Sequence, residues 1–525
     1  MTARSNTVCE ERSPTLFEHA KCACSLLFGL RRHDLRAART FVSEIYAGQP
    51  ALARWGRFVC WSLGQMFSTI PVAMRGVSEA KPVDRTPIWL ATGNPLANHP
   101  WNDRADAALP EEADTVVIGA GFTGASVAYH WAKKATTDRE LVLLDMDDPA
   151  DGASGRNEGL VVMGRYFAMV HASVLADLRR TRDGLSESQR ERLAKQFAKV
   201  YCTAAYKNGD MIEETVRAEG FDCDYARKGW VQERTAQGQR DLDASVAMGR
   251  ESGCEDWTKL TPREVLEKTG MRVESNSGFS VAAATFHPAK WVWSLLEVAI
   301  EAAHVNLFTR TKVLRVEDAG ENYIVHTTRG PIRACHVVNA TESFTPLLHK
   351  QFHDIVQPTQ TQAAFAKDGP HGMKPHIGIS SSTYFCGRHG DGMLFGSDAT
   401  RIPDHEVGRN QPSRFLTRFI LGQLKRGFGP FQAHLTNEWS GTVGYTPDGF
   451  PLIGLIDGKR QYLIAGMAGS GTAFSFNGGR WVCDQILGIA GEDDYPDEYF
   501  SPTRLLDPKN HNWPQIEETS KPIQQ

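Results

Sequence analysis

The amino-acid sequence predicts an α/β fold in which a parallel-sheet part is interleaved with an α+β part whose sheet is mostly antiparallel, preceded by a helical N-terminal extension. The first observation is a pair of apolar runs, at residues 115–118 and 141–144, that flank a helical stretch and so form a β-α-β pattern. The second is the return of strand-like segments later in the chain, at residues 313–316, 323–325, 337–338, 357–365 and 384–395. The third is the helical spacing of apolar residues before position 68.

A glycine-rich turn, GAGFTG at residues 119–124, joins the first apolar run to the helical stretch. Its first glycine permits a tight turn, its second lets the backbone approach a pyrophosphate, and its third lets helix and strand pack closely. The helix N-terminus then faces the negative charge. Glycine-rich turns also recur by chance, so the interpretation as a dinucleotide-binding turn depends on the flanking strands and helix. The candidate cofactor-binding residues here are Gly119, Gly121, Phe122, Thr123 and Gly124.

Asp145 follows the second apolar run directly. A carboxylate at the end of this strand would accept hydrogen bonds from ribose hydroxyls, whereas a 2′-phosphate would meet its negative charge. The pattern therefore favours a dinucleotide without that phosphate over NADP. An ordinary surface aspartate after a buried strand is the alternative.

Composition and charge exclude several other classes of protein. The formal net charge is −4, with basic and acidic residues interspersed, so we expect no nucleic-acid partner. The ten cysteines include no C-x-x-C pair and accompany no histidine cluster, which predicts reduced thiols, no metal site and a cytoplasmic location. No apolar stretch approaches the ~20 residues needed to span a bilayer, and the run near residue 27 lacks the charge order of a secretory signal.

The first 75 residues differ in charge from the rest, with ten Lys or Arg against five Asp or Glu. Residues 51–68 place most of their apolar side chains on one broad helical face. A basic amphipathic helix binds anionic membrane surfaces, so peripheral membrane contact is one hypothesis. Docking of this face onto the protein's own body, or self-association with a second copy, is the other. We favour the second because most apolar helix stripes belong to a core.

A polar, glycine-containing run, DGASGRNEG at residues 151–159, follows Asp145 where a nicotinamide enzyme would continue its parallel sheet. Together with the turn at residues 119–124, this run resembles the D-amino-acid oxidase superfamily of FAD enzymes, especially its glycine oxidase and γ-glutamylputrescine oxidoreductase-like members. The resemblance covers about residues 88–488. It implies a Rossmann-type FAD-binding domain interleaved with a substrate domain.

The resemblance further implies that Ser154, Arg156 and Asn157 lie along the pyrophosphate and isoalloxazine of FAD. Hydroxyl, guanidinium and amide donors suit phosphate oxygens and flavin carbonyls. A loop held by its own turn hydrogen bonds would use the same residue types, and this alternative is equally open. Glu158 stands where the family often has glycine, which leaves its role open.

A second glycine-rich turn, GMAGSGT at residues 466–472, follows an apolar strand at residues 462–465 and precedes a helix. Its backbone N–H groups would face an electron-rich ring edge and stabilise negative charge on a reduced flavin. Two such turns far apart in the sequence favour FAD over NAD, although the second turn alone is also what a plain loop contains. The resemblance completes the FAD-binding set with Val313, Gly466, Gly469, Ser470, Gly471 and Thr472.

The resemblance also predicts how FAD is held. Sarcosine oxidases attach the flavin through a cysteine a few residues before a Thr-Pro-Asp element, and Gly441 occupies that position here. Dimethylglycine dehydrogenase-like relatives attach it through a histidine, where Arg156 stands. We therefore predict non-covalent FAD.

On the substrate side, the run YFCGRHGDG at residues 384–392 resembles the glycine oxidase strand whose arginine binds the substrate carboxylate, with one inserted residue. Arg388 is then the candidate carboxylate clamp, because a guanidinium makes two parallel hydrogen bonds to a carboxylate. An exposed arginine at a strand end is the alternative. Tyr384 and Tyr445 are candidates to line the pocket, although aromatic residues on strands more often belong to a core.

Together with the resemblance, these residues predict an FAD-dependent enzyme that oxidises a C–N bond of an amino acid or amine by hydride transfer to flavin N5. Water then hydrolyses the imine product. Residues 393–396 lack the oxygen-activating lysine of sarcosine oxidases, so the electrons pass either to oxygen or to another electron carrier such as a quinone. A catalytically silent flavoprotein of the same fold, acting as an assembly or interaction factor, is the alternative. The sequence leaves the substrate and the oligomeric state open.

The expected domains alternate along the chain. They are a helical extension at residues 1–87, an FAD-binding domain at residues 88–180, 286–350 and 436–490, a substrate domain at residues 181–285 and 351–435, and a surface tail at residues 491–525.

Overall fold

The computed structural model describes residues 50–64, 67, 70–76, 83–99, 108–397, 408–456, 459–489 and 495–514. The chain divides into two compact units. One unit comprises Met1–Ser78 and Ser413–Arg426, and the other comprises Glu79–Pro412 and Gly427–Gln525. In the described parts of the chain, no helix is both long and apolar enough to cross a membrane.

The helices and strands are numbered separately in chain order. The α-helices are α1 (Ala51–Gly64), α2 (Ile70–Arg75), α3 (Ile88–Ala91), α4 (Phe122–Lys134), α5 (Phe167–Thr181), α6 (Glu187–Glu219), α7 (Gln239–Glu251), α8 (Pro262–Thr269), α9 (Pro288–Glu301), α10 (Thr345–Leu348), α11 (Arg414–Phe428), α12 (Gly471–Leu487), α13 (Asp497–Phe500) and α14 (Thr503–Leu506). The strands are β1 (Glu112–Ile118), β2 (Leu141–Leu144), β3 (Leu160–Val161), β4 (Trp230–Gln232), β5 (Trp257–Leu260), β6 (Ser277–Ser280), β7 (Ala284–Thr285), β8 (Val305–Phe308), β9 (Val313–Asp318), β10 (Tyr323–Thr327), β11 (Gly330–Asn339), β12 (Gln357–Lys367), β13 (Gly378–Ser380), β14 (Phe385–His389), β15 (Gly392–Ser397), β16 (His434–Tyr445), β17 (Leu452–Leu455) and β18 (Gln461–Ala465).

Strand β1 lies in the middle of the first large sheet, whose order is β17-β18-β11-β1-β2-β8, with β10 and β9 added beside β11. It pairs in parallel with β2 on one side and with β11 on the other. All four residues of β2 are buried, as expected for a strand of a parallel sheet that helices cover on both faces. The chain reaches β2 and β11 on opposite sides of β1, and ligands bind at the carboxyl ends of the strands where the strand order reverses in this way.

The second large sheet has the order β16-β12-β15-β14-β13-β4-β6-β5. Its neighbouring strands are antiparallel except for β13 and β4, which pair in parallel. The sequence segments of the two sheets alternate along the chain, because β1, β2, β8 and β11 belong to the first sheet while β4–β6 and β12–β16 belong to the second. The α/β fold class with its mostly antiparallel second sheet is therefore confirmed.

Helix boundaries follow local sequence signals. The Ser186 side chain and the Gln189 side chain form a reciprocal capping box that begins α6, and Gly220, with φ +70°, ends it. Thr261 and Glu264 form the same device at the start of α8.

Residues 495–514 depart from the expected surface tail. Tyr499 and Phe500 are buried, and Arg504 is 2% exposed. The Arg504 Nε atom donates to Asp448 at 2.6 Å, so a buried ion pair holds this segment to the protein body. A polar, proline-rich composition did not reveal this contact because the partner aspartate lies far away in the sequence.

In the first unit, glycines let α2 and α11 approach closely. A Cβ at Gly422 would lie 1.9 Å from the carbonyl oxygen of Val72. Helix α1 lies within the predicted amphipathic segment, and its Leu52 and Trp55 are 83% and 63% exposed. Residues 65, 66 and 68 of that segment lie outside the described residues. Membrane contact or self-association through residues 51–68 stays a prediction.

Candidate cofactor cavity and active site

A cavity of about 490 Å³ lies at the carboxyl ends of the central parallel strands. It is lined there by Ile118 of β1, by Asp145 after β2 and by Ala340 after β11. Thr361 of β12 and Gly441 of β16 also belong to its wall. The cavity therefore reaches from the point where the parallel sheet reverses its strand order to one face of the antiparallel sheet.

The first glycine-rich turn forms part of the cavity wall. Gly119 has φ +107°, and a Cβ there would lie 2.6 Å from the carbonyl oxygen of Ala340. A Cβ at Gly124 would lie 1.7 Å from the carbonyl oxygen of Gly119, so glycine is what lets α4 pack on the turn. Phe122 and Thr123, the first residues of α4, line the cavity. The partial positive charge of the helix N-terminus thus faces the ligand space.

Asp145 holds the first turn from the end of β2. One carboxylate oxygen accepts the backbone N–H of Ala120 at 2.6 Å, and the other accepts that of Asp147 at 2.9 Å. Burial raises the pKa of Asp145 to about 7 against the effect of these two hydrogen bonds. Asp145 and Val313, at the start of β9, both line the cavity.

Ser154 and Asn157 line the cavity, and their side chains also form hydrogen bonds to backbone groups of the protein. The Ser154 hydroxyl oxygen accepts the backbone N–H of Phe122 at 2.8 Å, and a Cβ at Gly121 would lie 2.7 Å from that oxygen. The Asn157 Nδ2 atom donates to the carbonyl oxygen of Ser154 at 2.7 Å, and its Oδ1 atom accepts the N–H of Gly159. Asn157 therefore holds its own loop as well as lining the cavity, and its contact with FAD stays a prediction.

Arg156 joins the same loop to the antiparallel sheet. Its guanidinium forms an ion pair with Asp151 at 2.8 Å and donates to the carbonyl oxygen of Ser440 at 3.3 Å. A Cβ at Gly441 would lie 3.1 Å from the Cβ of Arg156. Arg156 and Gly441 both line the cavity. By the resemblance, these are the positions of the histidine and the cysteine to which some family members attach their flavin covalently, and the two positions lie side by side here.

The second glycine-rich turn forms another part of the cavity wall. Gly469, Gly471 and Thr472 line the cavity, and the latter two begin α12. Gly466 and Ser470 are not among its lining residues in the part of the chain that the structure describes. Gly466 has φ +62°, which favours glycine, and Ser470 is the residue at the N-cap of α12.

Glu342, which no sequence motif marked, lines the same cavity. It has φ +49°, and its carboxylate accepts the backbone N–H groups of Gly444 at 2.8 Å and Met467 at 2.9 Å. Burial raises the pKa of Glu342 to about 7. The residue follows the parallel strand β11, and a carboxylate at that end of such a strand is the signal that would have found it.

A model of the FAD dependent oxidoreductase family matches residues 114–485, which is well over half of the chain. The chain belongs to the FAD dependent oxidoreductase family. The family resemblance drawn from the sequence is confirmed, and so is FAD as the cofactor.

Relatives of known name are distant. Probable oxidoreductase OrdL of Haemophilus influenzae is 23% identical over 401 residues, which cover 72% of this chain and 84% of that protein. Gamma-glutamylputrescine oxidoreductase of Escherichia coli is 21% identical over 407 residues, which cover 73% of this chain and 85% of that protein. The solved structure of glycine oxidase from Geobacillus kaustophilus has a TM-score of 0.58 at 18% identity, with 75% of this chain and 99% of that chain covered. At this identity, the structural likeness shows the fold alone.

The chemistry of the cavity lining fits FAD. The N-termini of α4 and α12 supply backbone N–H groups at two glycine-rich turns, and Asp145 lies where a ribose hydroxyl would donate. Among the described residues that line the cavity, none is a cysteine or a histidine. Non-covalent attachment is therefore retained as a prediction.

Arg388 does not line this cavity. Arg388 pairs with Met393 of β15, and Met393 pairs with Ala366 of β12, so all three residues share one face of the sheet. Thr361 is separated from Ala366 by an odd number of positions along β12. Side chains alternate between the faces of a strand, so Arg388 lies on the face away from Thr361. Its Nη1 atom donates to the carbonyl oxygen of Met373 at 3.4 Å.

The Tyr384 side chain likewise contacts protein groups away from the FAD cavity. Its hydroxyl donates to Glu233 at 2.6 Å, and burial together with this carboxylate raises the pKa of Tyr384. Like Arg388, it is not among the described residues that line the FAD cavity. Tyr445 borders a different cavity, beside the FAD cavity.

The next residue of β14, His389, lies on the opposite face of the sheet from Arg388, because side chains alternate between the two faces. Its ring centroid lies 4.8 Å from that of Trp89, which lies 4.9 Å from that of His287. The Trp89 indole N–H donates to the carbonyl oxygen of Asn157 at 2.9 Å, so α3 supports the loop along the FAD cavity. Burial lowers the pKa of His389 to about 4, which keeps the ring neutral near pH 7. The sequence held no signal for this cluster because its members come from distant segments.

Proposed function

We propose that this protein uses FAD to oxidise a C–N bond of an amino acid or amine, giving an imine that water hydrolyses. The observation that carries the proposal is the single cavity that joins the dinucleotide turn at Gly119 to the antiparallel sheet at Thr361 and Gly441. Thr361 and Gly441 would contact the flavin if its ring occupied that part of the cavity, and a substrate could be held there. When bound, the flavin supplies the hydride acceptor, atom N5.

The lining of the cavity suits this chemistry. No histidine, cysteine or tyrosine is among its described lining residues, and hydride transfer needs an oriented substrate more than a protein nucleophile. Glu158 and Glu342 line it, and carboxylates accept hydrogen bonds from amines. The names of the gamma-glutamylputrescine oxidoreductase and glycine oxidase relatives also refer to amine or amino-acid compounds.

The deciding experiment offers the anaerobic holoenzyme a panel of amines and amino acids and follows flavin absorbance. We expect at least one compound to bleach the oxidised flavin band. Admission of air then separates the two electron acceptors, because an oxidase forms hydrogen peroxide whereas a dehydrogenase reoxidises only with a quinone or a dye.

The catalytically silent flavoprotein is the second candidate, and one observation favours it. The side chains of Arg388 and Tyr384 make internal contacts with Met373 and Glu233 instead of lining the FAD cavity. Dithionite reduction of the flavin is the control that shows the sample is redox-active. If dithionite bleaches the flavin but no amine or amino acid does, the catalytically silent flavoprotein is favoured over the enzyme.

We also propose a cytoplasmic location. The seven cysteines that the structure describes are free thiols, as the reducing environment of the cytoplasm would keep them. Fractionation of cells that express the full chain measures this directly, and recovery with an oxidising compartment contradicts it.

A further inference from the structure

Helix α1 carries exposed apolar side chains along one side. Leu52 and Trp55 are 83% and 63% exposed, and Leu63, near the end of the helix, is 46% exposed. With the half-buried Val59 between them, these residues are spaced three or four positions apart, which places them on one face of a helix. Phe67, three residues beyond α1, is 76% exposed. We call Leu52, Trp55, Leu63 and Phe67 the α1 stripe.

The α1 stripe lies apart from the FAD-binding residues. It belongs to the first compact unit, and the family model begins only at residue 114. The sequence favoured burial of this face against the protein itself or a second copy. The exposure of Leu52 and Phe67 means that no part of the chain that the structure describes covers them. Apolar surface exposed in this way marks an interaction site.

The charge around the α1 stripe is positive. Residues 45–78 contain three arginines, Arg54, Arg57 and Arg75, and no lysine, aspartate or glutamate, although the whole chain has a net charge of −4. A second copy of α1 would bring the same positive charge, so electrostatics disfavours self-association through the stripe. An anionic surface is complementary to it.

The length and composition of α1 fit a lipid interface. Its 14 residues are fewer than the ~20 that span a bilayer, and none of them is acidic. A helix that combines an apolar stripe with basic residues lies in the plane of the headgroups, with the stripe at the boundary of the acyl chains. Trp55 suits this depth because an indole combines a large apolar ring with a polar N–H.

We propose that α1 docks this protein onto bilayers that contain anionic lipids, with the α1 stripe entering the boundary between headgroups and acyl chains. The arginines near the stripe supply the attraction to the anionic headgroups, and the apolar side chains supply the burial. This contact is independent of the proposed function, because no residue that lines the FAD cavity takes part in it.

Flotation of the full-length holoenzyme with lipid vesicles measures the contact. The vesicles contain phosphatidylcholine alone or phosphatidylcholine mixed with anionic phosphatidylglycerol. We expect binding to the mixed vesicles to be at least about tenfold tighter than to the neutral ones. High salt should weaken it, because salt screens the headgroup charge.

A pair of matched variants assigns the contact to the α1 stripe. The double variant Leu52→Gln/Phe67→Gln should weaken binding to the mixed vesicles at least about tenfold, because the buried apolar area is lost. The control Leu266→Gln/Val281→Gln removes two exposed apolar side chains from the second compact unit and should stay within about twofold of wild type.

The proposal fails if wild type does not float with the mixed vesicles or binds the neutral ones as tightly. It also fails if Leu52→Gln/Phe67→Gln binds like wild type, or if the control variant weakens binding equally. A thermal melt shows whether each variant folds, and Leu52→Gln alone carries the comparison if the double variant does not fold.

Light scattering during size exclusion without lipid tests the second copy as the occupant of the stripe. A wild-type oligomer that Leu52→Gln/Phe67→Gln dissociates would assign the stripe to a second copy and overturn the membrane contact. Flavin reduction by substrate is measured without vesicles, so a failure of flotation leaves the proposed function standing.

Discussion

The carboxylate of Glu342 accepts a hydrogen bond from the backbone N–H of Met467 at 2.9 Å. Its other oxygen accepts the N–H of Gly444 at 2.8 Å, so one half-buried side chain joins the end of β16 to the second glycine-rich turn. Glu342 and Met467 both line the FAD cavity. The geometry of that turn, which follows β18, therefore depends on an acid that follows β11, the neighbouring strand of the same sheet.

Replacement of Glu342 by glutamine tests this dependence. The amide has one acceptor oxygen and one donor nitrogen, so one of the two backbone N–H groups loses its acceptor and faces a donor. We expect FAD affinity to fall about tenfold, which corresponds to about 1–2 kcal/mol for an unsatisfied buried group. Fluorescence titration of the FAD-free protein measures it, with Glu301→Gln at the exposed end of α9 as the control. Equal affinities for Glu342→Gln and wild type contradict the proposed role.

The stability of the FAD-free protein is expected to depend on pH through Asp145 and Glu342. Both carboxyls have a pKa of about 7 in the folded protein, above their ordinary values of 3.8 and 4.5. Between about pH 4.5 and about 7, the folded state holds protons that the unfolded chain has released. The contribution of these groups to stability is present below this interval and is lost as the pH rises through it.

The measurement is the difference in Tm between wild type and Glu342→Gln across that interval. A difference is needed because histidines with lowered pKa values, such as His389, act in the opposite direction. The glutamine stays neutral, so wild type should lose stability relative to the variant as the pH rises. A difference that stays constant with pH would show that Glu342 does not titrate in this range.

Gly124→Ala is expected to disrupt the first turn. The added methyl group would lie 1.7 Å from the carbonyl oxygen of Gly119, and backbone atoms there cannot rotate away. We expect a loss of about 3 kcal/mol or more in the free energy of unfolding, together with loss of FAD. Urea denaturation and the flavin-to-protein absorbance ratio measure both effects. Gly372→Ala is the control, since nothing lies within 4 Å of a Cβ there, and similar losses in both variants would argue against this specific clash.

FAD is expected to leave the protein on acid precipitation. Gly441 and Arg156 occupy the positions at which tethered relatives carry a cysteine or a histidine, and both line the cavity. Absorbance of the supernatant after trichloroacetic acid treatment measures the released flavin, and we expect essentially all of it there. A pellet that stays yellow and fluorescent would mean a covalent bond that these residues do not predict.

The sequence by itself determined the dinucleotide-binding unit, and its resemblance to the D-amino-acid oxidase superfamily predicted the family and FAD. The β-α-β unit, the turn at Gly119 and the acid at Asp145 are contiguous, and each meets a local requirement of backbone conformation or charge. Such requirements can be read without knowledge of distant contacts. The strand-like segments at residues 313–316 and 323–325 were likewise visible, because strand periodicity is a local property. The interleaving of two domains was implied only by the resemblance.

Only the tertiary structure decided which side chains meet at the FAD cavity. Arg388 lies in the predicted strand, but sheet register turns it to the opposite face from Thr361. Glu342 carried no motif, and its position depends on a contact with Met467 that the fold brings from a distant segment. Register and packing are set by the balance of the whole core, so a short motif determines the ligand that it contacts but not the residues that surround it.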